Sequence, residues 1–248
     1  MAESRRLLLY HPPMVKSNLR RRLARLLFRS LLLTALALSG IAGWWWLTFP
    51  DIAALAKVNP TTTALIEARA AAARREDRPV TPRWTWVSLS RISPHLQKAV
   101  IVSEDASFLQ HEGFDWGGIQ DATFRNIKAG KLARGGSTIT QQLAKNLYLS
   151  SEKNLLRKVR EALITRSLER HLSKKRILEI YLNVAEWGRG VYGAEAAAQH
   201  HFGKPAGQLT EEEAALLAAI LPAPLRHDPL KITPYLTYRR AQILRWMH

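Results

Sequence analysis

Two glutamates stand where apolar residues would otherwise continue a stripe. On a helix opened by Pro94, Leu96, Val100, Glu104 and Phe108 recur every four residues and share one face. Glu161 heads a second stripe with Ile164, Leu168 and Leu172, at offsets of three, seven and eleven. A carboxylate on an apolar face is desolvated, its pKa rises, and it can act as a general acid or base near neutral pH. A pair of such acids is the usual equipment of glycosyl chemistry. The plainer readings are a solvated helix end for Glu104 and an ion pair with Arg157 or Lys158 for Glu161. Spacing alone does not separate the alternatives.

A second group of residues suits an anion. Gly135-Gly136 lets backbone approach a ligand, and Ser137 opens a helix whose N-terminus favours negative charge. Thr138, Gln141 and Lys145 follow along one polar side of that helix, opposite Ile139, Leu143 and Leu147. Lys153, Arg157, Lys158 and Arg160 come shortly after, enough positive charge to hold a pyrophosphate. By itself this run also reads as a solvated basic face. Metal chemistry finds no support: His111, His200 and His201 have no partners at ligand spacing, and the chain has no Cys. Ser150 and Lys153 match an S-x-x-K acyl-enzyme pattern, but the companion S-D-N and K-T-G are missing, so the match is taken as chance.

The elements that must position these groups are helices. Ser93-Pro94 signals a start for a helix expected to end near Gly113, and Asp115 can cap one that ends at Gly130. Ser137 is read as the cap of the next, followed by helices over 154–172 and 174–184. Thr210 and Glu213 form a capping box for 211–221, stopped by Pro222 and Pro224, and Thr233-Pro234 starts the last helix. Only Trp84-Thr85-Trp86-Val87 suggests a short extended piece. The fold class is all-α.

The first fifty residues point to a membrane. Ser30 to Phe49 is a run of twenty residues without a charge, long enough as a helix to cross about 30 Å of hydrocarbon. Trp44, Trp45 and Trp46 sit near its far end, where an aromatic belt belongs. Residues 1–29 carry eight basic side chains and one acid, which places the N-terminus in the cytoplasm. Ala35-Leu36-Ala37 falls too early in the run for a cleavage site, so an uncleaved single-pass anchor is expected. The division expected is a basic cytoplasmic segment over 1–29, an anchor over 30–50, a membrane-proximal linker over 51–85 and a domain over 86–248. Of the formal net charge of +17, ten charges remain outside the first segment. Beyond a membrane these would meet anionic headgroups and lipid-linked phosphates rather than nucleic acid.

Five runs of residues carry a family resemblance. They are Glu104-Asp105 through Phe108, His111 and Gly113 to Asp115; Gly135-Gly136-Ser137-Thr138-Ile139-Thr140-Gln141-Gln142 with Lys145-Asn146; and Arg157-Lys158 with Arg160-Glu161. The fourth is Lys175-Arg176-Ile177-Leu178-Glu179 with Tyr181-Leu182-Asn183, then Gly188, Gly193 and Phe202-Gly203-Lys204; the fifth runs from Glu213 to Pro222. In this order across residues 95–226 they resemble the motifs of the family 51 peptidoglycan glycosyltransferases.

The resemblance implies a lysozyme-like helical domain with a head, a membrane-hugging jaw and a cleft between them. It implies polymerisation of lipid II onto a lipid-linked glycan strand, an inverting displacement that forms a β-1,4 bond and releases undecaprenyl pyrophosphate. No transpeptidase activity is expected. Glu104 would be the general base and Glu161 the second carboxylate. Lys145, Lys153, Arg157 and Arg160 would meet the pyrophosphate, and Ser137, Thr138, Gln141 and Gln142 would line the cleft. No cofactor or bound metal is implied, although a divalent cation could stimulate the reaction. The setting implied is the bacterial inner membrane with a periplasmic catalytic domain, alongside cell-wall synthesis or division proteins. Two positions depart from the family pattern: Lys153 stands for a common Arg, and His201 for a common Tyr. A lytic muramidase would also use Glu on helices but needs no basic pyrophosphate cluster or anchor. A non-catalytic anchored binding protein would not need carboxylates on apolar faces.

Overall fold

The computed structural model describes residues 15–77, 80–118, 136–150 and 154–248. They fall into two compact units that divide between Pro50 and Asp51. The first unit is dominated by α1 (Val15–Leu47), about 50 Å long at 1.5 Å per residue. Its stretch Arg21–Leu47 is apolar enough to cross a membrane, and none of it is buried within protein. Leu27, Phe28, Leu31, Leu33 and Trp46 are all exposed.

The second unit is mostly helical: α2 (Ala64–Arg75), α3 (Pro94–Glu104), α4 (Ile139–Tyr148), α5 (Leu155–His171), α6 (Lys174–Val184), α7 (Ala194–Phe202), α8 (Glu211–Ile220) and α9 (Pro234–Met247). Packing of α3 against α8 and α9 builds one side, and packing of α4 against α5 and α6 builds the other. Leu96, Val100, Phe108, Ile139, Leu143, Ile164, Leu168, Ile177 and Leu217 are fully enclosed in the core. The two stripes read from sequence therefore do face inward.

Side-chain caps explain most helix starts. Asn154, Ser173 and Thr233 each accept a backbone N–H of the first turn, and Thr210 closes a capping box with Glu213. Two expected caps are reassigned. Thr138, not Ser137, is the cap of α4, because its hydroxyl accepts from Gln141 N while the Gln141 side chain accepts from Thr138 N. Ser93 precedes α3 but donates its hydroxyl to Leu209 O at 2.9 Å instead of capping. Helix α3 also stops at Glu104 rather than near Gly113, since Asp105 turns extended with φ −165°. Asp115 Oδ1 does accept Gly118 N at 2.8 Å, as a cap would. The helix expected to run from there to Gly130 lies outside the described residues beyond Gly118.

A small sheet escaped the sequence reading because its strands are too short to show alternation. Strands β1 (Arg83–Trp84), β2 (Glu186–Gly188) and β3 (Val191–Tyr192) lie in the order β1-β3-β2. Parallel pairing sets Arg83 opposite Val191, and β2 and β3 form an antiparallel hairpin. Asn183 anchors this region: its side chain accepts Val87 N at 2.9 Å and donates to Val87 O and Glu179 O, while its carbonyl accepts Trp84 Nε1. Gly193, with φ +82°, packs so close that a Cβ would lie 2.6 Å from Asn183 O.

The segment expected to be a linker over 51–85 is packed into the second unit. Ile52 and Leu55 join the core, and Ile66 of α2 is buried. Arg69 of α2 donates to Glu186 Oε2 through Nε at 3.0 Å and Nη2 at 2.8 Å. Arg176 of α6 donates to Leu55 O at 2.8 Å.

Candidate active site

Glu104 ends α3, where its carboxylate meets Gln142 of α4 and feels the charge of Arg239 from α9. Gln142 Nε2 donates to Glu104 Oε2 at 2.9 Å, and Tyr181 Oη donates to Gln142 Oε1 at 3.0 Å. Ser103 lies 3.5 Å from Glu104 Oε1, the limit of a hydrogen bond, and Arg239 Nη2 donates to Ser103 Oγ at 3.2 Å. Burial raises the Glu104 pKa above the ordinary carboxylate value; the Gln142 bond and the Arg239 charge oppose that rise. Glu104 is thus a half-buried, desolvated carboxylate and not a solvated helix end.

The neighbouring Asp105 builds the entrance to α4. Its Oδ2 accepts Ile139 N at 3.0 Å, taking one of the helix's unpaired amide donors. Its Oδ1 lies 2.8 Å from His111 Nε2. Because Gly113 N donates to His111 Nδ1 at 3.0 Å, the His111 proton sits on Nε2 and points at Asp105. Burial raises the Asp105 pKa, against the lowering effect of the His111 and Ile139 hydrogen bonds. Thr138 Oγ1 donates to Gly113 O at 2.8 Å, closing the same turn. Gly113 has φ +88°, and a Cβ there would lie 2.8 Å from Thr165 Cγ2, so the turn needs glycine.

Glu161 is buried on α5 and carries both ion pairs that the plainer reading offered. Arg157 Nη1 lies 2.8 Å from Oε2, and Lys158 Nζ bonds to Oε1. Lys145 of α4 is exposed overall, yet the protein around its ammonium lowers its pKa. The charges of Glu161 and Glu104 both act to raise it, and those of Arg157 and Lys158 to lower it. The Lys145 ammonium thus lies within electrostatic range of both predicted acids and of Arg157 and Lys158.

Not every candidate faces outward. Thr138 and Gln141 are buried and spend their polar groups on the α4 capping box. Ser137 is exposed just before the cap, Gln142 is half-buried beside Glu104, and Arg160 is half-buried on α5. Lys153 lies outside the described residues. His201, the second departure, donates through Nε2 to Trp187 O at 2.9 Å, so its role here is a hydrogen bond to β2. No cluster of three or more potential metal ligands occurs among the described residues.

Sequence reasoning gave no role to Asp105, His111, Tyr181 or Arg239. The first three lie inside quoted motifs, so their position was visible though their partners were not. Arg239 lies beyond the last motif, and no periodicity or spacing marks it.

Residues 47–248 match the family model described as Transglycosylase. A "Biosynthetic peptidoglycan transglycosylase" of Nitrosospira multiformis is 50% identical over 186 residues, which is 75% of this chain and 81% of that protein. One of Methylobacillus flagellatus is 48% identical over 204 residues, 82% of this chain and 88% of that protein. One of Laribacter hongkongensis is 52% identical over 170 residues, 68% of this chain and 75% of that protein.

Proposed function

We propose a reaction and a set of roles from the premise that this chain belongs to the transglycosylase family. It is a peptidoglycan glycosyltransferase that polymerises glycan strands, with lipid II as substrate. The acceptor's 4-hydroxyl oxygen attacks the anomeric carbon of the lipid-linked donor. The bond to pyrophosphate breaks, its electron pair leaves with the phosphate oxygen, and inversion gives the β-1,4 link.

Glu104 takes the hydroxyl proton. The observation that carries this role is its desolvated carboxylate, held by Gln142 and raised in pKa by burial. Lys145, which senses both carboxylates, stabilises the charge that grows on the departing pyrophosphate. Arg157 and Arg160 on α5 join it, together with Lys153. Glu161 holds Arg157 and Lys158 in place until the substrate phosphates arrive. Ser137 and Gln142 line the sugar path, whereas Thr138 and Gln141 shape the helix end behind it. In this reading the second unit is a lysozyme-like domain, in which the cleft beside Glu104 separates a head from a membrane-hugging jaw. Helix α1 is the single-pass anchor, with its basic flank in the cytoplasm and the catalytic domain in the periplasm.

The test is incubation of detergent-purified full-length protein with fluorescent lipid II. Polymer that a muramidase digests is expected from the native chain. Glu104→Gln is expected to lose at least about 100-fold in rate, the lower end of what a general base contributes. A fully active Glu104→Gln protein would defeat the assignment. Shortening of preformed glycan without polymer would favour lytic chemistry instead.

A further inference from the structure

We propose that Tyr181 and Arg239 are positioning residues for Glu104, each acting on one carboxylate oxygen through an intermediary, Gln142 and Ser103. The inference rests on Glu104 being the base. It adds two groups from α6 and α9 to a site otherwise built by α3, α4 and α5.

The Oε2 arm is a directed chain. A glutamine side chain can present either its carbonyl or its NH2 to a carboxylate, and only the NH2 is attractive to the ionised form. Tyr181 Oη, 3.0 Å from Gln142 Oε1, sets which end points where. Its phenol is fully buried, and burial together with the Glu104 and Asp105 charges raises its pKa well above the usual value. The hydroxyl therefore keeps its proton and donates it to Gln142 Oε1. That bond turns Gln142 Nε2 toward Glu104 Oε2, 2.9 Å away.

The Oε1 arm has the same logic. Ser103 has one proton and two acceptors within 3.5 Å, Glu104 Oε1 and Ala218 O. Arg239 donates to Ser103 Oγ at 3.2 Å and so occupies a lone pair on it. The guanidinium makes no ion pair with any carboxylate among the described residues, and its charge acts on Glu104 itself. The groups that set the Glu104 charge thus come from every side. Ser103 and Asp105 flank it in sequence, Gln142 and Lys145 come from α4, Tyr181 from α6 and Arg239 from α9. Of these, Asp105 disfavours ionisation while Gln142, Ser103 and Arg239 favour it. Removing either arm should raise the pKa of the base and free its lone pair to wander.

The experiment measures kcat and KM for lipid II against pH, using full-length protein in detergent. The variants are Tyr181→Phe, Arg239→Met and Arg239→Lys, with a thermal melt of each as a check on folding. Tyr181→Phe and Arg239→Met are expected to lose about tenfold in kcat, with KM little changed. In both, the acid limb of the rate profile should move to higher pH, and Arg239→Lys should move it back toward the native position. Damage to packing alone would lower activity without moving the limb. An unmoved limb in a folded variant, or a loss confined to KM, overturns the inference for that residue. If Tyr181→Phe fails to fold, Arg239→Met still tests the principle on the less buried partner. Glu104→Gln, run alongside, separates the two claims. If it stays active, the base assignment fails. If it is inactive while the limbs stay put, only the positioning inference fails.

Discussion

Glu104 illustrates what a desolvated carboxylate costs its fold. Because folding raises its pKa, the folded state binds this proton more readily than the unfolded chain does. The stability it contributes therefore grows as pH falls through the raised value and is absent at neutral pH. Asp105 and Glu186, raised by burial in the same sense, follow the same sign. Glu104→Gln is accordingly predicted to melt no lower than the native protein at pH 7.5 while losing polymerisation, which a thermal scan beside the lipid II assay would reveal. For activity the sign reverses, since a base must be ionised to accept a proton. The rate of the native enzyme should fall as pH drops through a value above the ordinary glutamate range, and a pH–rate profile locates that limb. A limb at the ordinary value would mean that substrate binding relieves the desolvation.

At the scale of elements, the site depends on how α4 begins. Thr138 Oγ1 accepts from Gln141 N and donates to Gly113 O, so one hydroxyl caps a helix and pins a turn 25 residues away. Thr138→Val keeps the volume and removes both bonds. It should destabilise the protein by about 1–2 kcal/mol, the usual range for a lost cap, in a chemical denaturation curve. Gly193→Ala should cost more, because the new methyl meets the Asn183 carbonyl in a backbone conformation that L-residues avoid. These two positions also mark how far the sequence could be read. Periodicity placed Glu104 and Glu161 on inward faces, cap chemistry found the starts of α8 and α9, and α5 and α6 begin within one residue of the starts expected at 154 and 174. Cap chemistry assigned the α4 cap to Ser137, one residue early, although only Thr138 has at N3, in Gln141, the partner that a capping box requires. Arg239 reaches Ser103 across 136 residues of chain, and Asp105 reaches Ile139 across 34. Contacts of that kind leave no periodic trace. Nor do strands of two or three residues, which is why the sheet was invisible and only Trp84 of the extended piece read over 84–87 falls in a strand.

At the scale of the whole molecule, the second unit begins at Asp51 and not where the motifs begin. The first motif starts about fifty residues later, and residues 51–85 of the intervening sequence looked like tether. Its Ala-rich composition hid the few side chains that matter, Ile52, Leu55, Ile66 and Arg69. This has a practical consequence for anyone who wants the enzyme free of detergent. Cutting the chain after Pro50 removes α1 and leaves the second unit whole; cutting at residue 85 leaves every motif in place and strands Glu186. That carboxylate is 5% exposed, and Arg69 is its ion-pair partner among the described residues. A buried charge deprived of its counter-ion typically costs about 3–5 kcal/mol, a large part of the stability of a domain this size. The shorter product, though it keeps all the residues that do chemistry, is predicted to aggregate on expression. The longer one should elute as a single folded species on gel filtration, and the Glu186→Gln change should partly recover the shorter.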